Sequence, residues 1–351
     1  MSPPGRRITL KDLARELGVS TATISNAFNR PDQLSPSLRE RILDEAKRLG
    51  YRGPDAKARS LRTGRSRIIA VLLAESLTYS LNDAVSSEFL SGVAEVLDAQ
   101  GHTLLLLSAR QAQSPIPGSA SMADGFIVYG LIPTTELLDS LPLQASLVAV
   151  DFNVAGYPSV HIDNEPACYA IARHAVTSRS SRRPAIIGLR LTVAPHNGYL
   201  TAEHSLLSAD DTITRSRLAG FSRALAEHGF DTGRVPVWNV EENTFDICAP
   251  VIEPILDLPD EERPDLLLCM SDRLALTALT LAEQRGIRVP EDLRLTGFDG
   301  IAEGQYRAPR LTTVCQESHG KGRLAARMIL GLDEPQAKML PTELLIGDTC
   351  P

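Results

Sequence analysis

The sequence predicts two architectures in one chain: a small all-α head over the first fifty residues, and a larger α/β body built on doubly wound parallel sheets. Three observations carry this reading. The head contains three apolar repeats at helical spacing, each preceded by a capping residue; the body alternates short continuous apolar runs with longer helical segments; and the charge is split between them. Residues 1 to 67 carry 15 Lys or Arg against 7 Asp or Glu, a net of +8, which leaves −15 on the remainder of a chain whose total is −7. A basic head on an acidic body is the electrostatic footprint of a modular nucleic-acid binder. A chain of 351 residues has room for such a division, since one domain takes roughly 100 to 200.

In the head, Thr9 and Asp12 form a [ST]-x-x-[DE] start signal, and Leu10, Leu13, Ala14 and Leu17 follow at helical spacing up to Gly18. Ser20 caps a second helix, with Ile24 and Phe28 facing inward and Thr21, Ala22, Ser25, Asn26 and Asn29 facing out. Two helices joined by so tight a turn read as a helix-turn-helix. Ser35 and Pro36 open a third helix that continues through Leu38, Ile42, Ala46 and Leu49. The small polar residues on the outer face of the second helix suit close approach to base edges, with hydroxyls reaching phosphates. Residues Pro54 to Leu61 form a candidate two-turn helix capped by Asp55, too short to persist alone in water.

From Arg67 onward, the apolar runs Ile68 to Leu73, Thr103 to Leu107, Gly125 to Val128, Leu147 to Val150, Ala185 to Leu189, Leu266 to Met270 and Leu293 to Gly297 are of the kind that fill parallel sheets covered on both faces. Helical segments such as Glu88 to Gln100, Leu218 to His228 and Leu274 to Arg285 lie between them. Doubly wound sheets bind ligands at the carboxyl ends of their strands. Polar residues gather there: Tyr79, Asn82 and Asp83 after the first run, then Tyr129, Asp151, Ser271 with Asp272, and Asp299.

The run from Ile8 to Leu73, including V-S-x-x-T-I-S, L-S-P-S-L-R-E-R, G-Y and A-R-S-L-R, closely resembles the head of the lac-repressor (LacI/GalR) family of bacterial regulators. The resemblance implies that Thr21, Ala22 and Asn26 read bases, and that Ser20, Thr23, Ser25, Asn29 and Ser35 contact phosphates. It also places Thr9 and the hinge residues Ala58 and Leu61 on DNA, Leu61 as an apolar wedge that kinks the minor groove. Several family members have Arg where this chain has Asn26. Asn pairs with adenine where Arg prefers guanine, so the operator differs from the family's commonest one.

For the body, the resemblance implies a bilobed, periplasmic-binding-protein-like sensor with crossovers near Asp163, Gln316 and Met339. The expected division is a DNA-binding head over 1–52, a hinge and linker over 53–65, and an effector-binding and dimerisation domain over 66–351. Its first lobe takes about 66–162 and 316–338, its second about 163–315 and 339–351. Arg217 in R-S-R-L-A-G-F matches the arginine used on ligand oxygens, Gln316 in L-T-T-V-C-Q sits at another pocket position, and Asn243 aligns with a third. With Tyr79, Asp83, Tyr129, Asp151, Asp272 and Asp299 these make the expected effector site. Carboxylates, an arginine and amides suit a polyhydroxylated ligand, so a sugar is the first choice and a nucleobase or nucleoside the second. The polar stretch Thr192 to Asp211 either flanks that pocket or is a surface insertion.

Other classes find little support. The nucleotide-binding glycine fingerprints, the G-x-S-x-G elbow and H-E-x-x-H are all missing from the sequence, which argues against an enzyme. A solute-binding protein without regulatory function would lack the head and would carry a secretory leader, whereas the basic stretch Met1 to Arg7 leads into polar residues. The five cysteines show no metal spacing and read as reduced, buried thiols. No cofactor, metal or membrane span is expected. The expectation is a cytoplasmic, nucleoid-associated homodimeric repressor of near-palindromic double-stranded operator DNA, controlled by a small-molecule effector.

Overall fold

The computed structural model describes residues 8–51, 53, 66–109, 122–130, 141, 146–153, 156–179, 181–208 and 213–351. The hinge residues Ala58 and Leu61, and the side chain of Asn29, lie outside the described residues. The chain divides at Arg67 into two compact units.

The first unit holds helices Leu10–Leu17, Thr21–Asn29 and Pro36–Arg48. Thr9 and Asp12 close a reciprocal capping box, and Gly18 ends the first helix at φ 68°, a left-handed conformation that glycine adopts without strain. Ser20 and Ser35 cap the next two helices, with Pro36 in the first turn of the third. Leu13, Ile24, Ala27 and Ile42 are fully buried in one small core, with Phe28 edge-on to Tyr51 at its margin. Ala27 joins Ile24 inside because a three-residue step keeps both on one helix face.

The second unit has two lobes. In the first, strands β1 (Ile68–Leu73), β2 (Thr103–Ser108), β3 (Gly125–Tyr129), β4 (Ser146–Val150), β5 (Ser159–Ile162) and β12 (Lys338–Leu340) form a wholly parallel sheet in the order β12-β5-β4-β3-β1-β2. In the second, β6 (Pro184–Leu189), β7 (Gly198–Tyr199), β8 (Val237–Val240), β9 (Leu266–Cys269) and β10 (Arg294–Thr296) take the order β10-β9-β6-β8-β7, with only β7 antiparallel. A two-stranded ladder of β11 (Thr313–Cys315) and β13 (Glu343–Leu345) hangs from the second sheet through bridges at Thr296 with Thr312 and Asp299 with Cys315. The chain crosses between lobes after Ile162, after Cys315 and after Leu340, so the last crossover falls just beyond Met339.

Each sheet is covered by helices that approach one another closely. On the first lobe, helices Ala84–Ala99 and Ser318–Ile329 pack together over Ile69, Val71 and Leu73. A Cβ at Gly92 would lie 2.1 Å from the His319 carbonyl, and one at Gly322 would lie 2.1 Å from that of Phe89. Glycine is therefore what lets the two backbones touch. On the second lobe, helices Asn164–Ser178 and Ile213–Glu227 meet in the same way, with a Cβ at Gly220 only 2.3 Å from the Glu165 carbonyl. Leucine, isoleucine and phenylalanine side chains buried in these cores each contribute about 1.5–3 kcal/mol. Buried Arg294 is held by the carbonyls of Ala175 and Arg179 at 2.6 and 2.8 Å, which places a cation at the C-terminus of a helix, where the helix dipole favours it.

Candidate functional site

In the head, the hydroxyls assigned to DNA also order the helices that present them. Thr9 Oγ1 donates to Asp12 at 2.7 Å; Ser20 Oγ accepts from the Thr23 amide at 3.0 Å and lies 2.8 Å from the Thr23 hydroxyl; Ser35 Oγ accepts from the Leu38 amide at 3.4 Å. Thr21 and Ala22 are exposed on the second helix, while Thr23, Ser25 and Asn26 are half-buried. The third helix fixes the other two from behind: Arg39 Nε donates to the Ala27 carbonyl at 3.2 Å and Arg41 Nη2 to that of Leu17 at 3.1 Å. The outer face of the second helix is thus small, polar and rigidly mounted.

In the body, the strand ends of both lobes point their polar residues at one cleft. Asp151 follows β4 with φ 64°, and Asp299 follows β10 with φ 129°. Left-handed conformations of this kind cost a non-glycine residue on the order of 1–3 kcal/mol and persist where the surroundings over-determine them. Both carboxylates belong to one continuous network. Lys321 Nζ donates to Asp151 Oδ1 and Oδ2, each at 2.8 Å, and to Gln316 Oε1 at 2.8 Å. Gln316 Nε2 donates to Asp299 Oδ1 at 2.6 Å, and Asp299 lies 3.5 Å from Arg217 Nη1. Arg217 in turn donates to Asn164 Oδ1 at 3.0 Å and to the Met270 carbonyl at 2.6 Å, with its guanidinium 3.7 Å from the Phe298 ring centroid. Burial pushes the Asp299 carboxyl well above the usual carboxylate range; Arg217 opposes that, and Asp272 and Asp83 reinforce it.

Four of the nine sequence-predicted effector residues, Asp151, Arg217, Asp299 and Gln316, therefore meet in this network. Three more, Tyr79, Asp83 and Asn243, line a cavity of about 270 Å³ between the lobes. Its first-lobe wall also includes Ser76, Thr78 and Asn82, and its second-lobe wall Glu242, Thr244 and Arg273. Asn243 Oδ1 accepts from the Ser271 hydroxyl at 2.7 Å, which orients its amide. Tyr129 stacks on Phe89 with centroids 4.2 Å apart. Desolvation raises its hydroxyl pKa, and the neighbouring carboxylates of Asp151 and Asp83 push the same way. Asp83, on the first-lobe wall of the cavity, adds to the upward push on both Tyr129 and Asp299.

Asp272 is placed differently. It is fully buried, and its carboxylate accepts from the Thr313 hydroxyl and from the Ile301 amide at 2.8 Å. It braces the strand ends beneath Asp299, and a Cβ at Gly297 would lie 2.1 Å from one of its oxygens. Its contribution to the cleft is support, without a surface for a ligand. Burial lifts its carboxyl from 3.8 to about 6.

Sequence reasoning missed Lys321, Asn164, and the ion pair that Arg190, following β6, makes with Glu75, following β1. That pair joins the two lobes, and Arg190 Nε also donates to the Glu241 carbonyl at 2.7 Å. A lone lysine within Q-E-S-H-G-K-G carries no signal of burial. The stretch after Arg190 folds back on the second sheet. Asn239 Oδ1 accepts from the Leu191 amide at 2.7 Å, and its Nδ2 donates to the His196 carbonyl at 2.6 Å, so β7 is pinned as an edge strand. Residues 209–211 of that stretch lie outside the described residues. Among the described residues no cluster of His, Cys, Asp and Glu is arranged to hold a metal, and no helix is long and apolar enough to cross a membrane.

Residues 9–53 match the model of bacterial regulatory proteins of the lacI family, and residues 197–350 match that of a periplasmic binding protein-like domain. The HTH-type transcriptional regulator Rv3575c of Mycobacterium tuberculosis is 36% identical over 99% of this chain and 99% of its own length. The HTH-type transcriptional regulator IpsA of Corynebacterium glutamicum is 37% identical over 92% of this chain and 90% of its own. The HTH-type transcriptional repressor PurR of Vibrio cholerae is 28% identical over 92% and 90%. Among solved structures, a LacI-family transcriptional regulator from Corynebacterium glutamicum superposes with a TM-score of 0.68 at 29% identity, covering 99% of this chain and 100% of that one. A complex of the transcriptional regulator CelR with cellobiose gives 0.62 at 24%, covering 98% and 100%. The lac repressor dimer bound to operator and the anti-inducer ONPF gives 0.72 at 18%, covering 98% and 99%.

Proposed function

The chain belongs to the lacI family of bacterial regulatory proteins, and from that premise we propose that it is a repressor whose hold on operator DNA is set by a small polyhydroxylated effector, a sugar in the first instance. It is a transcriptional regulator and not an enzyme. The observation that carries the effector reading is the network from Asp151 to Arg217, which joins polar groups of both lobes at the carboxyl ends of their strands, where doubly wound sheets take ligands. Carboxylates that accept paired hydroxyls, a planar arginine and two amides form a set of partners suited to vicinal hydroxyl groups. The same fold holds cellobiose in CelR, which supports a sugar as the first class to test.

In this reading residues 1–52 grip the major groove, 53–65 form the hinge with Ala58 and Leu61 in the minor groove, and 66–351 sense the effector and dimerise. Two copies present two recognition helices, so the operator is near-palindromic, with half-sites about one turn of DNA apart or a multiple of it. The protein acts on nucleoid DNA in the cytoplasm. The lac repressor, which shares the fold, is a dimer on its operator, and the relative at 28% identity is named a repressor. Selection of duplexes from a random pool, followed by binding of selected and scrambled DNA across a salt series, tests the regulatory half. A basic head predicts steep salt dependence for both and a preference of about a thousandfold or more for the selected duplex. Equal affinity for the two at every salt concentration would refute it.

A further inference from the structure

Away from their crossovers the two lobes touch through Arg190. The crossovers leave the first sheet from β5 and β12, which lie together at one edge, and reach the second through the ladder that hangs from β10, again at an edge. Glu75 follows β1, three strand steps from β5, a distance of about 14 Å at roughly 4.8 Å per step. Arg190 follows β6, two steps from β10. Here Arg190 Nη1 donates to Glu75 Oε1, and the guanidinium lies 5.6 Å from the ring centroid of Tyr79, another first-lobe residue. The Tyr79 hydroxyl is in turn hydrogen-bonded by the backbone of Asn243 in the second lobe. A contact this far from the crossovers acts on a long lever arm, so a small force there resists a large part of any opening.

Each end of the ion pair is fastened to its own lobe. The Glu75 carbonyl accepts from the Ser108 hydroxyl at 2.8 Å, which ties it to the end of β2. Arg190 Nε donates to the Glu241 carbonyl at 2.7 Å, its own carbonyl accepts from the Thr214 hydroxyl at 3.1 Å, and its backbone is held at φ 50°. A side-chain-bearing residue keeps such a left-handed conformation where its surroundings over-determine it. The pair therefore joins one lobe to the other, and not one loose loop to another. Its side chains are 31% and 19% exposed, so the attraction exceeds that of a fully solvated pair while water still reaches it. Among the described residues Arg190 Nη2 has no hydrogen-bond partner although it is buried. A buried donor left unsatisfied is costly, and parting the lobes returns it to water, which keeps the contact reversible.

We propose that Arg190 and Glu75 form a latch: an ion pair at the mouth of the cleft that holds the lobes together by the chain's own charges and so sets the balance between closed and open arrangements. The latch itself is independent of the effector's identity. Its effect on operator binding rests on the reading of the body as a sensor coupled to the head.

The test uses the full-length protein with no added ligand. Amide hydrogen exchange is followed in segments 76–83 and 241–247, which carry the two walls of the cavity, with operator titration in parallel. Glu75→Gln and Arg190→Gln should each quicken exchange in both segments by about fivefold or more, while β1 and β9 in the sheet cores keep parental rates. Swapping the charges, Glu75→Arg with Arg190→Glu, should bring the rates back toward the parent, to within about twofold. A residue that served only the fold of its own lobe would act in that lobe alone and would not be rescued from the other. The two single substitutions lie in different lobes, so each tests the latch should the other fail to fold. Parental exchange in a folded single variant, or a charge-swapped protein as open as the single variants, would overturn the latch. With exchange quickened, operator affinity should move in the same direction in both single variants, by about fivefold or more. Unchanged operator affinity beside quickened exchange would uphold the latch and refute the coupling of the body to the head.

Discussion

Arg217 Nη1 lies 3.5 Å from Asp299 Oδ1, and both side chains are nearly buried, although 82 positions separate them in the sequence. Removing one member of such a pair leaves the other charge uncompensated, so Arg217→Ala should lose stability by about 3–5 kcal/mol as well as ligand binding. Arg217→Lys is the sharper probe. It keeps a cation for Asp299 but loses the planar fork that reaches Asn164 and the Met270 carbonyl together. Effector affinity should fall about 10- to 150-fold, as expected for one or two charge-assisted hydrogen bonds, while effector-free operator affinity stays within about twofold. Calorimetry and operator titration measure the two; parental effector affinity in Arg217→Lys would remove Arg217 from the site.

Asn26 is half-buried on the helix that carries exposed Thr21 and Ala22. Its truncation to alanine should relax base preference at one position of each half-site, at a cost of about 1–3 kcal/mol. Affinity for unrelated DNA should not change. An unaltered preference profile in a sequence library would show that Asn26 does not read a base.

Two glycines on the helix Ser318–Ile329 should respond with opposite sign. At Gly322 an added Cβ would lie 2.1 Å from the Phe89 carbonyl, so Gly322→Ala must force two helices apart and should destabilise by about 1–3 kcal/mol or more. At Gly320 the nearest atom would be Glu317 Oε2 at 3.4 Å, an ordinary contact, and Gly320→Ala should stabilise by about 0.5–1 kcal/mol through helix propensity. Denaturant unfolding of both decides; equal effects would mean that the close helix crossing is not what the glycine serves.

Burial lifts the Asp272 carboxyl from 3.8 to about 6, so between these values the native state binds a proton that the unfolded chain has released. Its contribution to stability is therefore fully present below about pH 4 and is lost as pH rises through about 6. Asp272→Ala should flatten that part of the stability profile and also lower stability overall, because the Thr313 hydroxyl and Ile301 amide lose their acceptor. Effector affinity of the folded variant should stay close to parental. A large selective loss of effector binding would instead make Asp272 a ligand contact.

The parts of this architecture that were legible in the sequence are those dictated by local chemistry. Thr9, Ser20 and Ser35 announce helix starts because caps are short-range, and β1, β3 and β9 announce themselves because strands covered on both faces are continuously apolar. Strand β5 reads S-V-H-I, and β8 reads V-W-N-V with a buried asparagine; neither stands out, since Ser159 and Asn239 find their partners only in the folded chain. The same reason hid Lys321. Its burial depends on Asp151, 170 positions earlier, and no pattern within its own helix signals that. Asp272 was misleading in the opposite direction, because an acid after a strand looks like a ligand group until Thr313, 41 positions later, occupies it.

One molecule should join an operator-binding head to a sensor whose occupancy changes that binding. It is tested most directly by titrating the selected operator with parent protein, by fluorescence anisotropy, with and without a saturating amount of the compound found to bind the cleft. A ligand shifts such an equilibrium only by its differential affinity for the two states, and couplings of about 1–3 kcal/mol are usual. Operator affinity should change by about 5- to 150-fold with effector, and the change should be lost in Arg217→Lys at the same effector concentration. Superimposable operator isotherms for the parent, with and without bound effector, would contradict it.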